Sequence, residues 1–258
     1  MLYLNNNCQF KTRLWRVIYF FKFLLVILFM IIRLPTNSPL DKLLNGGIES
    51  NTITNIYGEA GSGKTNITLL CTISCIKSNK KVVFVDTEGG FSFERLDQLA
   101  NGDGNQYLKN IILFEPKTWK EQCERVEKID KLTEQEAVGL IVIDSLVSLY
   151  RLELTNENFQ EINRQLSTQY SILSNLSRSK NIPIIVTNQV YSVNGKMELT
   201  SRTIGKYWAK ALIKLEKLER PGHRVATIVK HRSLPEGKRI EFVITSNGLK
   251  EVGKFSLF

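Results

Sequence analysis

The segment from Gly58 to Thr65 constrains the fold of this chain more than any other part of the sequence. It reads Gly-Glu-Ala-Gly-Ser-Gly-Lys-Thr and matches G-x-x-x-x-G-K-[ST], the phosphate-binding loop, at every fixed position. An apolar, β-branched run (52–57) precedes it, and a helical pattern from Asn66 to Lys77 follows it. Backbone N–H groups in such a loop surround an anion, and the helix N-terminus adds partial positive charge. The segment therefore predicts a strand, a phosphate-binding loop and a helix.

This loop predicts ATP and Mg²⁺ as cofactors. Lys64 would reach the β- and γ-phosphates, and the hydroxyl of Thr65 would coordinate Mg²⁺. A glycine-rich turn without a ligand is the alternative, which the flanking strand and helix patterns disfavour. The predicted nucleotide-binding residues of the loop are Gly58, Glu59, Ala60, Gly61, Ser62, Gly63, Lys64 and Thr65.

The rest of the chain predicts an α/β fold with a mainly parallel central sheet and helices on both faces. Apolar runs alternate with helical patterns, and parallel strands need such crossovers. The predicted strands cover 52–57, 81–85, 111–114, 139–143 and 182–186, and the predicted helices cover 64–78, 93–100, 117–132 and 158–180. After these elements, 191–205 is polar without a period. Three later runs, 211–218, 223–229 and 239–245, alternate apolar and charged residues and predict antiparallel strands at the far edge of the sheet.

Three polar residues follow predicted strands at the edge where ligands bind in open α/β sheets. Asp144 ends a run of four apolar residues, and after a phosphate-binding loop this pattern predicts an acid that holds a water on Mg²⁺. Glu88 is placed to orient and deprotonate an attacking water, with a turn or helix cap as the alternative role. The amide of Gln189 can sense the γ-phosphate and move the loop behind it. The predicted catalytic residues are therefore Lys64, Glu88 and Gln189.

Together these motifs resemble the RecA family, and closely its archaeal and eukaryotic recombinase branch. The similar segments are a lead-in (40–49), the segment around Glu88 (85–96) and Thr187-Asn188-Gln189-Val190. The resemblance covers about residues 34–252 and implies a RecA-like ATPase core. It also implies the base and switch roles of Glu88 and Gln189. It places Arg95 against the adenine, because a guanidinium group stacks on a π-face.

Two features of full recombinases of this branch have no counterpart in the sequence. No segment resembles their N-terminal helical DNA-binding domain, and none of the 13 Phe has Ala three residues on, so the Phe-x-x-Ala polymerisation motif is missing. The chain is therefore similar to a core-only paralogue of the recombinase. For such a paralogue the family implies DNA binding, feeble ATP hydrolysis and little strand exchange. It implies the main archaeal recombinase RadA and a Holliday-junction resolvase as partners. A homo-oligomer of this chain is a further alternative.

Positive charge is concentrated in the C-terminal third of the chain. The net charge is +10, and residues 196–239 carry twelve Lys and Arg against four Glu. This segment predicts a polyanion partner, with a solvated surface as the alternative. In the RecA family the loops after Asp144 and Gln189 contact DNA, which implies sequence-independent binding of single- and double-stranded DNA. The residues of these loops that are expected to contact DNA are Arg151, Lys196, Arg202 and Lys206.

Lys230 and Arg232 form a second candidate site. Bacterial RecA is similar at this place, where two lysines separated by one residue reach the γ-phosphate of the neighbouring subunit. Two residues that are two positions apart on a strand lie on the same face of the sheet. We expect these side chains to act as trans cations on ATP, or to bind DNA phosphate if no filament forms. A solvated strand end is the alternative.

The N-terminal residues 1–29 form a hydrophobic, basic extension. Val17 to Ile32 is apolar except for Lys22, but it would span only about 24 Å, short of the ~30 Å hydrocarbon core of a bilayer. A membrane anchor and an interaction helix are alternatives, but we favour translation from Met30. We therefore expect one RecA-like ATPase and DNA-binding domain, 30–258, in the cytoplasm and not at a membrane.

The function predicted from these features is that of an ATP-binding and DNA-binding regulator of homologous recombination and DNA repair, with weak ATPase activity. A minimal active recombinase with DNA-dependent ATPase activity is one alternative. A phosphate-loop kinase or signalling ATPase is another, although the sequence has no Arg-rich lid segment.

Overall fold

The computed structural model describes residues 31–193 and 196–253. The predicted extension (1–29) and the predicted start at Met30 lie outside these residues. Within the two described ranges, no helix is both long enough and apolar enough to cross a membrane.

The described residues form thirteen strands. Their bounds are β1 (Arg33–Leu34), β2 (Ile48–Glu49), β3 (Ile53–Gly58), β4 (Lys81–Asp86), β5 (Ile111–Phe114), β6 (Val138–Asp144), β7 (Ile184–Asn188), β8 (Val190–Val193), β9 (Lys196–Leu199), β10 (Ala211–Lys217), β11 (His223–Lys230), β12 (Arg239–Thr245) and β13 (Gly248–Glu251). Nine of them build the central sheet in the order β13-β12-β11-β10-β3-β7-β6-β4-β5, while β1 pairs with β2 and β8 pairs with β9.

Eight helices connect or flank these strands. Their bounds are α1 (Leu40–Leu43), α2 (Lys64–Lys77), α3 (Phe93–Leu99), α4 (Gly104–Leu108), α5 (Trp119–Gln135), α6 (Ser148–Glu153), α7 (Phe159–Lys180) and α8 (Arg202–Trp208). The predicted α/β fold is confirmed, because every pairing from β10 through β3, β7, β6 and β4 to β5 is parallel. The pairings from β10 to β13 are antiparallel, as expected for the C-terminal edge.

The central strands β3, β4, β6 and β7 are buried along almost their whole length because helices cover both faces of the sheet. In β4, Val82 and Phe84 belong to the core layer that contains α2, whereas Val83 and Val85 belong to the layer that contains α5 and α7. Full burial of each large apolar side chain stabilises the fold by about 1.5–3 kcal/mol. The two layers hold the carboxyl ends of the parallel strands at one edge, where the candidate site lies.

Several short elements differ from the sequence-based expectation. The stretch after Asp144, expected to be a loop, contains α6, and the polar stretch 191–205 contains the β8–β9 hairpin and the start of α8. The strand β10 is not a purely antiparallel edge strand, since it is parallel to β3 on one side and antiparallel to β11 on the other. Alternation of apolar and charged residues indicates a strand but carries no information about the direction of its partners.

Candidate nucleotide-binding site

The phosphate-binding loop joins β3 to α2, as the sequence predicts. At Gly58 a Cβ atom would lie 2.3 Å from the carbonyl oxygen of Leu215, so only glycine fits against β10. Gly63 precedes the first residue of α2 and has φ of 103°, a left-handed conformation that glycine adopts without strain. Glu59, Ala60 and Gly61 form the exposed outer part of the loop. These constraints place the loop at the N-terminus of a 14-residue helix.

The side chain of Lys64 turns back into the loop. Its Nζ donates hydrogen bonds to the carbonyl oxygens of Gly58 and Glu59, both at 2.9 Å. Burial lowers the pKa of Lys64, and the charges of Asp144 and Glu88 oppose this shift. The hydroxyl oxygen of Ser62 is buried and has no hydrogen-bond partner among the described residues. An ammonium on backbone carbonyls and an unsatisfied hydroxyl both fit a loop that receives a phosphate.

Asp144 connects the loop to the middle of the sheet. Its Oδ2 accepts a hydrogen bond from the hydroxyl of Thr65 at 2.8 Å, and its Oδ1 accepts one from the hydroxyl of Thr187 at 2.5 Å. Burial raises the pKa of the Asp144 carboxyl, whereas these two hydrogen bonds lower it. A hydroxyl and a carboxylate oxygen in contact are the hard oxygen ligands that Mg²⁺ prefers. Thr65 and Asp144 are therefore brought together as a fitting pair for this ion or for its waters.

Glu88 and Gln189 contact each other at the edge of the site. The amide Nε2 of Gln189 donates a hydrogen bond to Oε1 of Glu88 at 2.9 Å. The buried carboxylate of Asp86 accepts hydrogen bonds from the backbone N–H groups of Glu88, Gly90 and Phe91 and so fixes the loop that carries Glu88. The two predicted catalytic residues, 101 positions apart, thus lie side by side.

Arg95 lies on α3 and is fully engaged with its surroundings. Its guanidinium group donates to the carbonyl oxygens of Thr245 and Ser246 at 2.8 and 2.7 Å, and its Nε donates to Oδ1 of Asn66 at 2.7 Å. Burial lowers its pKa. Arg95 therefore ties the first turn of α2 to the turn between β12 and β13. A flat guanidinium held in this way presents a fixed surface on which a nucleobase can stack.

Lys230 and Arg232 have partners within the chain. Nζ of Lys230 donates to the carbonyl oxygens of Lys206 and Ala209 at 2.7 and 2.9 Å, at the C-terminal end of α8. Nε of Arg232 lies 2.7 Å from Oε2 of the buried Glu49. The expectation that both residues share one strand face is wrong, because β11 ends at Lys230. The predicted trans role of the two cations stays a prediction.

The expected DNA-contacting residues lie on elements that follow β6 and β7. Arg151 is exposed on α6, Lys196 is the first residue of β9, Arg202 is the first residue of α8, and Lys206 is exposed on α8. Tyr207, next to Lys206, is 71% exposed, and Nζ of Lys210 lies 5.9 Å from the centre of its ring.

Four further residues contact the site and were not predicted from the sequence. Thr187 bonds to Asp144, Asp86 orders the Glu88 loop, and Arg224 and Lys217 approach the phosphate-binding loop from β11 and β10. Asp86 and Thr187 belong to segments that carry the family resemblance, so the sequence contained a motif that could have identified them. The other two become neighbours of the loop only through the pairing of β10 with β3 and, for Arg224, the pairing of β11 with β10.

This fold and this set of side chains define a RecA-like phosphate-loop protein. A family profile described as Rad51 matches residues 29–252. The chain therefore belongs to the Rad51/RecA family.

Within this family the chain is similar to proteins named RadB. The DNA repair and recombination protein RadB of Methanococcus maripaludis is 48% identical over 219 residues, which cover 83% of this chain and 98% of that protein. The RadB of Methanobrevibacter smithii is 39% identical over 224 residues, or 84% and 95% of the two chains. A solved structure of the RadB recombinase gives a TM-score of 0.74 at 36% identity, covering 85% of this chain and all of that one. The predicted similarity to a core-only paralogue of the recombinase branch is confirmed.

Proposed function

We propose that this chain is an ATP-binding and DNA-binding protein of DNA repair and homologous recombination that regulates the main recombinase or junction cleavage. The observation that carries the proposal is the contact of Thr65 with Asp144 beside the pair of Glu88 and Gln189. It brings the phosphate-binding loop close to the residues proposed as metal-binding acid, base and sensor. The names and coverage of its RadB relatives support the part in DNA repair and recombination.

In this proposal the loop and its neighbours bind ATP with Mg²⁺. The ion would neutralise charge on the phosphates, and the residues that would hold it are Thr65 directly and Asp144 through water. Lys64 leaves the carbonyls of Gly58 and Glu59 to contact the β- and γ-phosphates. Arg95 stacks on the adenine, for which its fixed guanidinium supplies a flat cationic surface.

Glu88 acts as the general base for the attacking water, and Gln189 acts as the switch that responds to the γ-phosphate. The hydrogen bond between them links the proposed base to the proposed switch, so a movement of Gln189 would change the position of the Glu88 carboxylate. Changing Glu88 to Gln removes the base, so turnover should fall by about 10²–10⁴-fold with ATP binding retained. ATP turnover and equilibrium binding of ATP to the same variant would check both statements.

DNA would bind to the elements that follow β6 and β7. Arg151, Lys196, Arg202 and Lys206 supply cations for the phosphate backbone. The exposed ring of Tyr207 supplies a stacking surface for an unpaired base, which supports binding of single strands. Contacts to phosphate make binding independent of sequence, and affinity should fall by an order of magnitude or more between ~50 and ~200 mM salt.

Lys230 and Arg232 are proposed as cations that act on the ATP of a neighbouring copy, or on DNA phosphate in a chain without neighbours. Each would have to leave its present partner, the end of α8 for Lys230 and Glu49 for Arg232. Changing both to Ala should weaken ATP or DNA binding. Unchanged affinity for both ligands would rule out this role, and sedimentation with ATP would show whether a homo-oligomer forms.

The first experiment is ATP hydrolysis by the full chain with and without single-stranded DNA, together with DNA binding at two salt concentrations. A slow ATP turnover rate that is the same with and without DNA, together with salt-sensitive DNA binding, would support a cytoplasmic regulator that uses ATP as a switch. Strong stimulation by DNA would instead indicate a minimal recombinase. Absence of DNA binding would favour a kinase or a signalling ATPase. Pull-down of purified RadA or a Holliday-junction resolvase would then test the regulatory partners.

A further inference from the structure

Two cations lie directly opposite each other beside the phosphate-binding loop. Lys217, the last residue of β10, pairs with Arg224 of β11 in the antiparallel ladder. The next pairs with the same orientation are Leu215 with Ala226 and Ile213 with Ile228, and all four belong to the core layer under α2. Because side chains alternate along strands, Lys217 and Arg224 end this apolar stripe on the face of the sheet that carries the loop.

This arrangement leaves positive charge without an acidic partner. Like charges directly opposite each other in a ladder destabilise the pairing of two strands. In the part of the chain that the structure describes, neither Lys217 nor Arg224 takes part in a salt bridge. An anion bound nearby would relieve this repulsion.

Both side chains lie close to the loop at Gly61. Nη2 and Nε of Arg224 donate to the carbonyl oxygen of Gly61 at 2.9 and 3.3 Å, so two donors hold one peptide group. Cε and Nζ of Lys217 lie 3.5 Å from the point where a Cβ of Gly61 would be. The charge of Lys217 also reaches Lys64, whose pKa is lowered mainly by burial and to a smaller extent by Lys217.

We propose that Lys217 and Arg224 form a second cationic subsite of the phosphate-binding loop, which favours the polyphosphate group of nucleoside di- and triphosphates. Arg224 is a positioning residue that fixes the Gly61 peptide, and Lys217 adds a positive charge that the bound polyphosphate neutralises. The subsite acts in the same chain that binds the nucleotide, and this inference rests on the proposed binding of ATP.

The test compares the affinities of the full chain for ATP, ADP and AMP in three variants. Arg224→Gln should weaken ATP and ADP binding by about tenfold and AMP binding much less, since AMP lacks the polyphosphate. Lys217→Gln, at an exposed position, should weaken ATP binding by up to about fivefold. Arg224→Lys keeps the charge but loses the two-donor contact, so its affinity for ATP should lie between those of the wild type and Arg224→Gln.

Arg239→Gln is the matched control, because Arg239 is an exposed cation of the same sheet on β12 and should leave all three affinities unchanged. Without nucleotide, the unfolding temperature should stay the same in the control and should not fall in Lys217→Gln, which removes one of the two opposed charges. Equal losses for ATP and AMP, or no loss for ATP, would overturn the subsite while leaving the proposed function intact. Failure of the wild-type chain to bind ATP would overturn the proposed function and the subsite with it.

Discussion

Asp144 is an acid whose burial opposes the charge that its proposed role requires. Its carboxyl is almost fully enclosed, and burial raises its pKa above the ordinary value of 3.8. Ionisation is then less favourable in the folded chain than in the unfolded chain. This destabilisation is present at neutral pH and disappears as the pH falls through the raised pKa.

We therefore expect Asp144→Asn to raise the free energy of unfolding at pH 7 by about 1 kcal/mol, because it removes a carboxyl whose ionisation is disfavoured by burial and keeps groups that can bond to Thr65 and Thr187. The gain should shrink toward zero as the pH is lowered through the raised pKa. Denaturant unfolding at several pH values measures it, and Asp103→Asn, in an exposed loop, is the control. The same variant should lose the Mg²⁺ dependence of ATP binding. A destabilised Asp144→Asn at pH 7 would contradict this account.

Residues of the site were predictable where a fixed motif or the end of a strand defined them. Lys64, Thr65 and Asp144 were found in this way, and the structure brings them into one cluster. Arg224 and Lys217 were not found, because both approach the loop through the pairing of β10 with β3, which joins positions more than 150 residues apart; Arg224 also depends on the pairing of β11 with β10. A sequence pattern reports local spacing and contains no record of such pairings.

At the scale of elements, two lysines hold the C-terminal ends of two short helices. Lys230 donates to the last carbonyls of α8, and Nζ of Lys238 donates to the carbonyl oxygens of Lys42 and Leu43 at the end of α1. A positive charge at a helix C-terminus stabilises it by about 0.3–1 kcal/mol. Helices of seven and four residues depend on such contacts, since their own hydrogen bonds are few.

Lys230→Met should increase amide hydrogen exchange in α8 by about two- to fivefold and leave α1 unchanged. Lys238→Met should have the opposite selectivity, so each variant is the control for the other. Hydrogen exchange followed by mass spectrometry resolves the two segments. Equal effects of both variants on both helices would show that the lysines act on global stability and not on the helix ends.

The long elements were predicted well, and the elements that the sequence missed are short, for a physical reason. The helices α5 and α7 present several turns of apolar periodicity, which also defines their bounds within three residues. In contrast, α4 and α6 have five and six residues, too few for a period to be visible, and are held by contacts with the rest of the chain. The β8–β9 hairpin is likewise a local structure within a polar stretch.

At the scale of the whole molecule, ATP binding should raise the free energy of unfolding of the whole sheet and not of one part of it. The proposed site gathers groups from β3, β4, β6, β7 and the turn after β12, so only the assembled sheet can bind nucleotide. At an ATP concentration of about 100 Kd with Mg²⁺, binding adds about 2.7 kcal/mol to the free energy of unfolding. For a chain of this size the unfolding temperature should rise by about 5–10 °C.

Calorimetry or dye-monitored unfolding measures this rise. Lys64→Ala should abolish it, whereas Lys77→Ala, an exposed change at the other end of α2, should preserve it. A rise of equal size in the Lys64→Ala variant would place the nucleotide elsewhere.

The position of β3 in the sheet has a consequence for how the protein is made. This strand, the first of the nine along the chain, lies between β7 and β10, and both neighbours are synthesised more than 120 residues later. At about 5–20 residues per second, the ribosome needs on the order of ten seconds to deliver them. During that time the apolar segment Ile53–Gly58 has neither of its strand partners, and its unpaired edges can associate with other nascent chains. During this interval, a chaperone that shields this segment would increase the fraction of new molecules that reach the folded state.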